Sequence, residues 1–111
     1  MQIKTKKNKK AIVFEVHGEV VATAARVLFK DISPYVKSDL ETIIVDMRNV
    51  PYVDSLGLGT LIDLHQLLRD AGKKLQLCGP GEMIKQLFWD SSLDEIFDVV
   101  DTDALPEDLK M

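Results

Sequence analysis

The sequence is poor in the residue types that mark several specialised classes of protein. It has one cysteine, Cys78, which excludes an internal disulfide and fits a reducing compartment. Its apolar stretches, such as Thr42 to Val45, are far shorter than the roughly 20 residues that a membrane span needs. The lysine-rich start leads into no apolar segment of the signal-peptide type. We therefore expect a cytoplasmic protein that does not insert into a membrane.

What is present is the composition of a folded domain. Of the 111 residues, 46% are hydrophobic and 29% are charged, a balance typical of a globular protein rather than of a disordered chain. A chain of this length buries one modest core. We expect residues 1–111 to form a single domain.

Charges of both signs are present but unevenly placed. The net charge is -4, whereas nucleic-acid binding needs a basic surface to neutralise phosphates. Residues 90–111 carry eight acids and one lysine, and five lysines crowd residues 1–10: Lys4, Lys6, Lys7, Lys9 and Lys10. We interpret these lysines as the solvated edge of a sheet, because edge lysines discourage association between sheets. Contact with RNA or an anionic membrane is the less favoured alternative.

Strand patterns alternate with helical ones along the chain. Five strands are expected, at Ile3–Lys6, Ala11–His17, Thr42–Met47, Lys74–Cys78 and Ile96–Val100. The first two suggest a hairpin, and the continuous apolar run from Thr42 is typical of a central strand covered on both faces.

Helical spacing of apolar residues predicts four helices between and after these strands. The first begins near Ala22 and ends or kinks at Pro34, and the second runs from about Leu56 to Ala71 with Gly72 as its cap. Two shorter helices are expected around Met83 to Phe88 and Ala104 to Leu109. The fold class is therefore α/β, with a mixed, mostly parallel sheet of four to five strands and about four helices packed against it.

The most informative stretch is the strand-to-helix loop from Tyr52 to Leu61. Asp54 or Ser55 could cap the helix that follows with a side-chain oxygen. Gly57 and Gly59 leave the first turn bare, so another backbone or a phosphate group could approach it closely. A Gly-x-Gly pattern is neither the dinucleotide fingerprint nor a P-loop, both of which need further glycines or a lysine.

The loop Asp54-Ser55-Leu56-Gly57-Leu58-Gly59 resembles the signature loop of STAS domains in anti-sigma-factor antagonists, where Asp-Ser-Ser-Gly-Leu-Gly or a close relative opens a helix. Nearly the whole chain is similar to that family. The other matching stretches are the turn Val16-His17-Gly18-Glu19-Val20, the strand from Thr42 to Val50 and the segment Leu93-Asp94-Glu95-Ile96-Phe97.

The resemblance implies a protein that binds an anti-sigma factor, often a serine kinase, and so frees a sigma factor until phosphorylation of the loop ends the binding. Here Leu56 stands where the family most often carries the phosphorylated hydroxyl, which leaves Ser55 as the candidate phosphoacceptor. Val21 likewise stands where many members carry an aspartate that helps to meet the kinase. The two departures leave open an antagonist that binds without being switched off, or a STAS module with a different partner. The resemblance implies a partner-binding surface made of Gly18, Glu19, Val21, Asp54, Ser55, Leu56, Gly57, Leu58 and Gly59.

The remaining reactive residue types have ordinary explanations. His17 and His65 lack a second ligand at a workable spacing for metal. Cys78 reads as a small buried hydrophobe, and Trp89 is expected to lie half in the core. With no catalytic arrangement at a recognisable spacing, we expect no enzyme, no metal and no cofactor. Two alternatives remain open: a STAS scaffold subunit of another signalling or lipid-transport complex, and a small nucleotide-binding regulator that uses the helix amino terminus.

Overall fold

The computed structural model describes residues 1–110 and contains one five-stranded sheet. The strands are β1 (Gln2–Lys7), β2 (Ala11–His17), β3 (Thr42–Asn49), β4 (Lys74–Cys78) and β5 (Asp98–Val100), in the spatial order β1-β2-β3-β4-β5. β1 pairs antiparallel with β2, and the other pairs are parallel. The predicted mixed, mostly parallel sheet is confirmed, and the exposed lysines of β1 lie on an edge strand as expected.

Three α-helices connect the parallel strands: α1 (Ala22–Ile32), α2 (Ser55–Asp70) and α3 (Glu82–Asp90). The strands follow one another across the sheet in chain order, so right-handed crossovers place all three helices on the same face. α1 ends before Pro34, which sits at the start of a 3-10 turn from Ser33 to Lys37. Gly72, with a φ of +77°, follows the end of α2 as expected.

The main core lies between this helical face and the sheet. Residues Ile12, Phe14 and Val16 of β2 point into it, as their alternation predicted, and they meet buried helix residues such as Leu28 and Leu61. β3 is buried on both faces from Ile43 to Met47. The interpretation of β3 as a covered central strand is therefore confirmed.

The opposite face of the sheet, which we call the back face, is covered by residues 101–110. Leu105 and Leu109 from this segment pack in a second cluster with four residues of β2, β3 and β4, namely Ala11, Val13, Ile44 and Cys78. The expected helix from Ala104 to Leu109 is wrong. Two 3-10 turns, Thr102–Ala104 and Glu107–Leu109, stand in its place. Pro106 explains the break, because it lacks a backbone donor and disfavours helical geometry at Leu105, which is extended with a ψ of 135°.

Two smaller expectations also fail. The last strand begins at Asp98 instead of Ile96, whose side chain is exposed. Trp89 is 68% exposed where a half-buried side chain was expected, since its neighbour Phe88 supplies the core contact.

Candidate functional site

Two loops meet at the carboxyl ends of β2 and β3. Residues 18–21 lead from β2 into α1, and residues 50–54 lead from β3 into α2. The loops are joined by a parallel bridge between Val20 and Val53, and the amide of Val20 donates to the carbonyl oxygen of Tyr52 at 2.9 Å. The structure therefore brings the residues of the expected partner-binding surface together at the carboxyl ends of β2 and β3.

The carboxylate of Asp54 ties the starts of α1 and α2 together. Its Oδ1 accepts a hydrogen bond from the amide of Gly57 at 2.7 Å, which caps α2, and its Oδ2 accepts one from the amide of Ala22 at 3.3 Å. Of the two cap candidates, Asp54 takes the role and Ser55 becomes the first residue of the helix. Ala22 has a φ of +44°, a strained conformation for a residue with a side chain, and the bond to Asp54 helps to hold it.

The two glycines of the loop differ in their surroundings. A Cβ on Gly57 would lie 2.1 Å from the carbonyl oxygen of Val20 and 2.8 Å from Cγ1 of Val53. A Cβ on Gly59 would meet nothing within 4 Å. The close backbone approach expected at Gly57 is thus made by the chain's own Val20, and open space is left only beside Gly59.

A shallow groove of about 240 Å³ separates the first turns of α1 and α2. Small residues line it together with two charged ones, Arg26 from α1 and Asp63 from α2. Among residues 1–110, neither Arg26 nor Asp63 takes part in an ion pair. The groove is therefore lined mostly by small residues, with one positive and one negative side chain, Arg26 and Asp63.

Some residues of the expected partner-binding surface are exposed, and others are buried beneath them. Leu56 is 62% exposed beside the groove, and Glu19 and Ser55 are also exposed. Gly57 is buried, and Leu58 is half-buried against the main core. Tyr52, which the sequence analysis did not nominate, is 51% exposed in the same loop. In the sequence, only its position beside the signature loop indicated that Tyr52 could belong to the site.

A buried charged cluster lies just below the two loops on the back face. Glu15 and Asp46 are register partners on β2 and β3 and are 8% and 1% exposed. Nη2 of Arg48 lies 2.7 Å from Oδ2 of Asp46 and 3.9 Å from Oε2 of Glu15, while Nε2 of His17 contacts Oε1 of Glu15. The hydrogen bond to Asp46 raises the pKa of Arg48, so the guanidinium stays charged.

This cluster fixes the strand ends from which both loops depart. Glu15 and His17 immediately precede residues 18–21, and Asp46 and Arg48 precede residues 50–54. Sequence reasoning missed the cluster and treated His17 as an ordinary strand residue. The available signal was an acid inside each apolar strand, since acids are almost never fully buried without a partner.

His65 and Cys78 each pack against other parts of the fold. His65 packs edge-on against Phe97 with ring centroids 6.2 Å apart. Cys78 is buried on the back face, and burial raises the pKa of its thiol to about 11. Among the residues that the structure describes, no three His, Cys, Asp or Glu side chains are grouped to hold a metal ion.

No helix within residues 1–110 combines the length and apolar character required to cross a bilayer.

Comparison with known proteins identifies the family. The model of the STAS domain matches residues 2–104, and the chain belongs to this family. Over 99 residues it is 26% identical to the anti-sigma-B factor antagonist of Bacillus subtilis, covering 89% of this chain and 90% of the relative.

Solved structures share the fold described above. An anti-sigma factor antagonist from Mycobacterium paratuberculosis superposes with a TM-score of 0.77 at 19% identity, covering 89% of this chain and 84% of that one. The Bacillus cell fate determinant SpoIIAA in its phosphorylated form gives a TM-score of 0.73 at 19% identity, with 91% of each chain covered.

Proposed function

We propose that this protein is an anti-sigma-factor antagonist: it binds an anti-sigma factor and thereby releases a sigma factor for transcription. Membership of the STAS family and the similarity to the anti-sigma-B factor antagonist of Bacillus subtilis support this role. The role is one of binding in the cytoplasm, without catalysis, cofactor, metal or nucleic acid.

The observation that carries the proposal is the exposed Leu56 on a rigid helix start. Its neighbours are held by the Asp54 cap and by the close contact between Gly57 and Val20. Because the backbone that carries Leu56 is already held, a partner that covers this 62% exposed side chain has little main chain to order. Glu19 and Val21 lie on the adjoining loop, so the partner would contact both loops together.

The anti-sigma factor is further proposed to be of the serine-kinase type, with Ser55 as its substrate. The hydroxyl of Ser55 is exposed, and because Asp54 caps the helix, Ser55 is not needed as a cap. A phosphate there would add roughly 1.5 to 2 negative charges beside the Asp54 carboxylate and the apolar Leu56. We expect that charge to oppose binding.

The two alternatives use the same surface differently. A scaffold subunit of a signalling or lipid-transport complex would present Leu56 and its neighbours to another protein. A nucleotide-binding regulator would need space at the amino terminus of α2, and the backbone of Val20 fills that space beside Gly57. The structure therefore disfavours a nucleotide site at Gly57.

A release assay tests the proposal. Each anti-sigma factor of the source organism is purified as a complex with its sigma factor, this protein is added, and free sigma factor is measured by size-exclusion chromatography. Release from one complex is expected. If every complex stays intact at a large excess of the protein, the proposed function is wrong.

A kinase assay tests the finer part. The anti-sigma factor identified by the release assay is incubated with the protein and ATP, and intact mass and peptide mapping report phosphate. Modification of Ser55, and its loss in Ser55→Ala, would support the assignment. Phosphate on a residue outside the loop would show that the switch lies elsewhere.

A further inference from the structure

Residues 101–110 cover the back face without joining the sheet. Residues 101–110 contain two 3-10 turns, and the backbone-to-backbone hydrogen bonds of these turns close within the segment. Neither turn pairs with a strand of the sheet. The segment is therefore fixed to the domain by its side chains.

Two leucines supply the apolar attachment. Leu105 and Leu109 are buried, whereas the other residues from 101 to 110 are exposed or half-buried. Both leucines belong to the back-face cluster and neither belongs to the main core. The main core is thus complete without them.

The polar attachment is weak. Nδ2 of Asn8 donates to Oδ2 of Asp108 at 3.2 Å, and Nζ of Lys6 donates to the carbonyl oxygen of Lys110 at 3.2 Å. Both bonds are exposed to solvent, where such contacts contribute little. They also place Lys6 and the Asn8 turn beside the acidic residues near the end of the chain.

Open space flanks the segment on both sides. One cavity of about 240 Å³ lies between Arg48 and residues Thr102, Leu105 and Lys110. A second, of about 430 Å³, lies at the other end of the strands and is lined by Ala104 and Pro106. The segment therefore bridges the sheet at the two leucines instead of covering it continuously.

We propose that residues 101–110 are a releasable strap, which opens from the back face while the main core stays folded and thereby exposes an apolar surface and the thiol of Cys78. The surface comprises Ala11, Val13, Ile44 and Cys78 on three adjacent strands. Local openings of this kind require less free energy than global unfolding when few apolar contacts hold the segment. The hydrogen bonds of the Asp54 carboxylate run to Gly57 and Ala22, which lie outside the strap.

Thiol labelling of the native protein tests the strap, since Cys78 is the only cysteine and is fully buried when the strap is closed. The protein is incubated with an aromatic disulfide reagent at several low urea concentrations. Strap opening predicts a labelling rate that depends only weakly on urea. A labelling rate that rises with urea as steeply as the equilibrium constant for global unfolding would overturn the proposal.

Two variants separate local from global opening. Leu109→Ala removes one anchor and is expected to speed labelling about tenfold or more. Ile43→Val, a milder change in the main core, is the control and should lower the melting temperature while leaving labelling within about twofold of the parent. Equal acceleration in both variants, or none in Leu109→Ala, would contradict the strap.

Hydrogen exchange of the unmodified protein keeps the test independent of how Leu109→Ala folds. The amides of Leu105 and Leu109, which are bonded within the strap, should exchange much faster than those of β3. Equal protection of the two regions would overturn the proposal. No partner is used, so these results leave the proposed function untouched.

Discussion

The starts of α2 and α3 look alike in outline and differ in what holds them. Each follows a parallel strand, and each exposes a large apolar side chain at its second position, Leu56 in α2 and Met83 in α3. Only α2 has a side-chain cap, from Asp54, and a buried glycine in contact with another loop. The start of α3 follows Gly81, where no side-chain cap forms and a Cβ would meet nothing within 4 Å.

The proposed binding surface is therefore distinguished by how its geometry is held and not by exposure alone. Met83 is 80% exposed, more than Leu56, yet its helix start has no contact with a second loop comparable to that at Gly57. The start of α2 is held by the buried Gly57 and by Asp54. The Asp54 carboxylate also binds the amide of Ala22, a residue with a strained backbone at the start of α1. Such fixed geometry is expected where a partner reads the surface.

The largest effect is expected from Gly57→Ala. The added methyl would lie 2.1 Å from the Val20 carbonyl oxygen, so the two loops must move apart, at a cost of about 3 kcal/mol of stability. Urea unfolding measures the change. The controls are Gly59→Ala and Gly81→Ala, which meet open space, and Gly59→Ala within the helix should stabilise the protein by up to about 1 kcal/mol. A harmless Gly57→Ala would mean that the loops are not in close contact.

The next largest effect is a pH dependence of stability caused by Cys78, the last residue of β4, the strand that precedes α3. The pKa of Cys78 is raised from 9.0 to about 11 by burial, so the folded state holds its proton more tightly than the unfolded state. Stability should therefore fall as pH rises from 9 to about 11, by about 2 to 3 kcal/mol attributable to this thiol. Unfolding curves across that range, compared with those of Cys78→Ala, isolate the effect. An identical decline in both proteins would assign it to other groups.

A smaller effect is expected at the α2 cap. Asp54→Ala removes the bonds to Gly57 and Ala22 and should cost about 1 to 2 kcal/mol, whereas Ser55→Ala removes no cap and should change stability by less than about 0.5 kcal/mol. Thermal and urea unfolding of the two variants give the comparison. Similar losses in both would show that Ser55 shares the capping role.

Much of this architecture follows from local patterns in the sequence. The alternation of Ile12, Phe14 and Val16 identified the core face of β2, and the position of Pro34 identified the end of α1. The loop from Tyr52 to Leu61 was recognised because its cap and glycines are local signals. Such features depend on neighbouring residues, so the sequence displays them directly.

The features that were missed depend on register or on distant contacts. Glu15 lies beside Asp46 only because β2 and β3 pair in one particular register. The two residues are far apart in the sequence, so the sequence does not indicate that they are neighbours. Leu105 and Leu109 have helical spacing, but Pro106 breaks the helix and the sheet determines where they pack. Val20 fills the space at Gly57 through a loop more than 30 residues away.

The smallest expected change in stability comes with the largest expected change in binding. Leu56→Glu places a charge at an exposed helix amino terminus, which favours the helix by a few tenths to about 1 kcal/mol. In the complex, that charge must be desolvated against an apolar contact, which commonly costs a few kcal/mol. Met83→Glu makes the same change at the equivalent position of α3 and serves as the matched control.

The affinity of the three proteins for the anti-sigma factor identified by the release assay should be measured by titration calorimetry, with melting temperatures recorded alongside. Leu56→Glu is expected to bind at least about tenfold more weakly than the parent, and Met83→Glu to bind like the parent, with all three equally folded. Unchanged affinity in Leu56→Glu, or equal losses in both variants, would contradict a partner-binding surface at the start of α2.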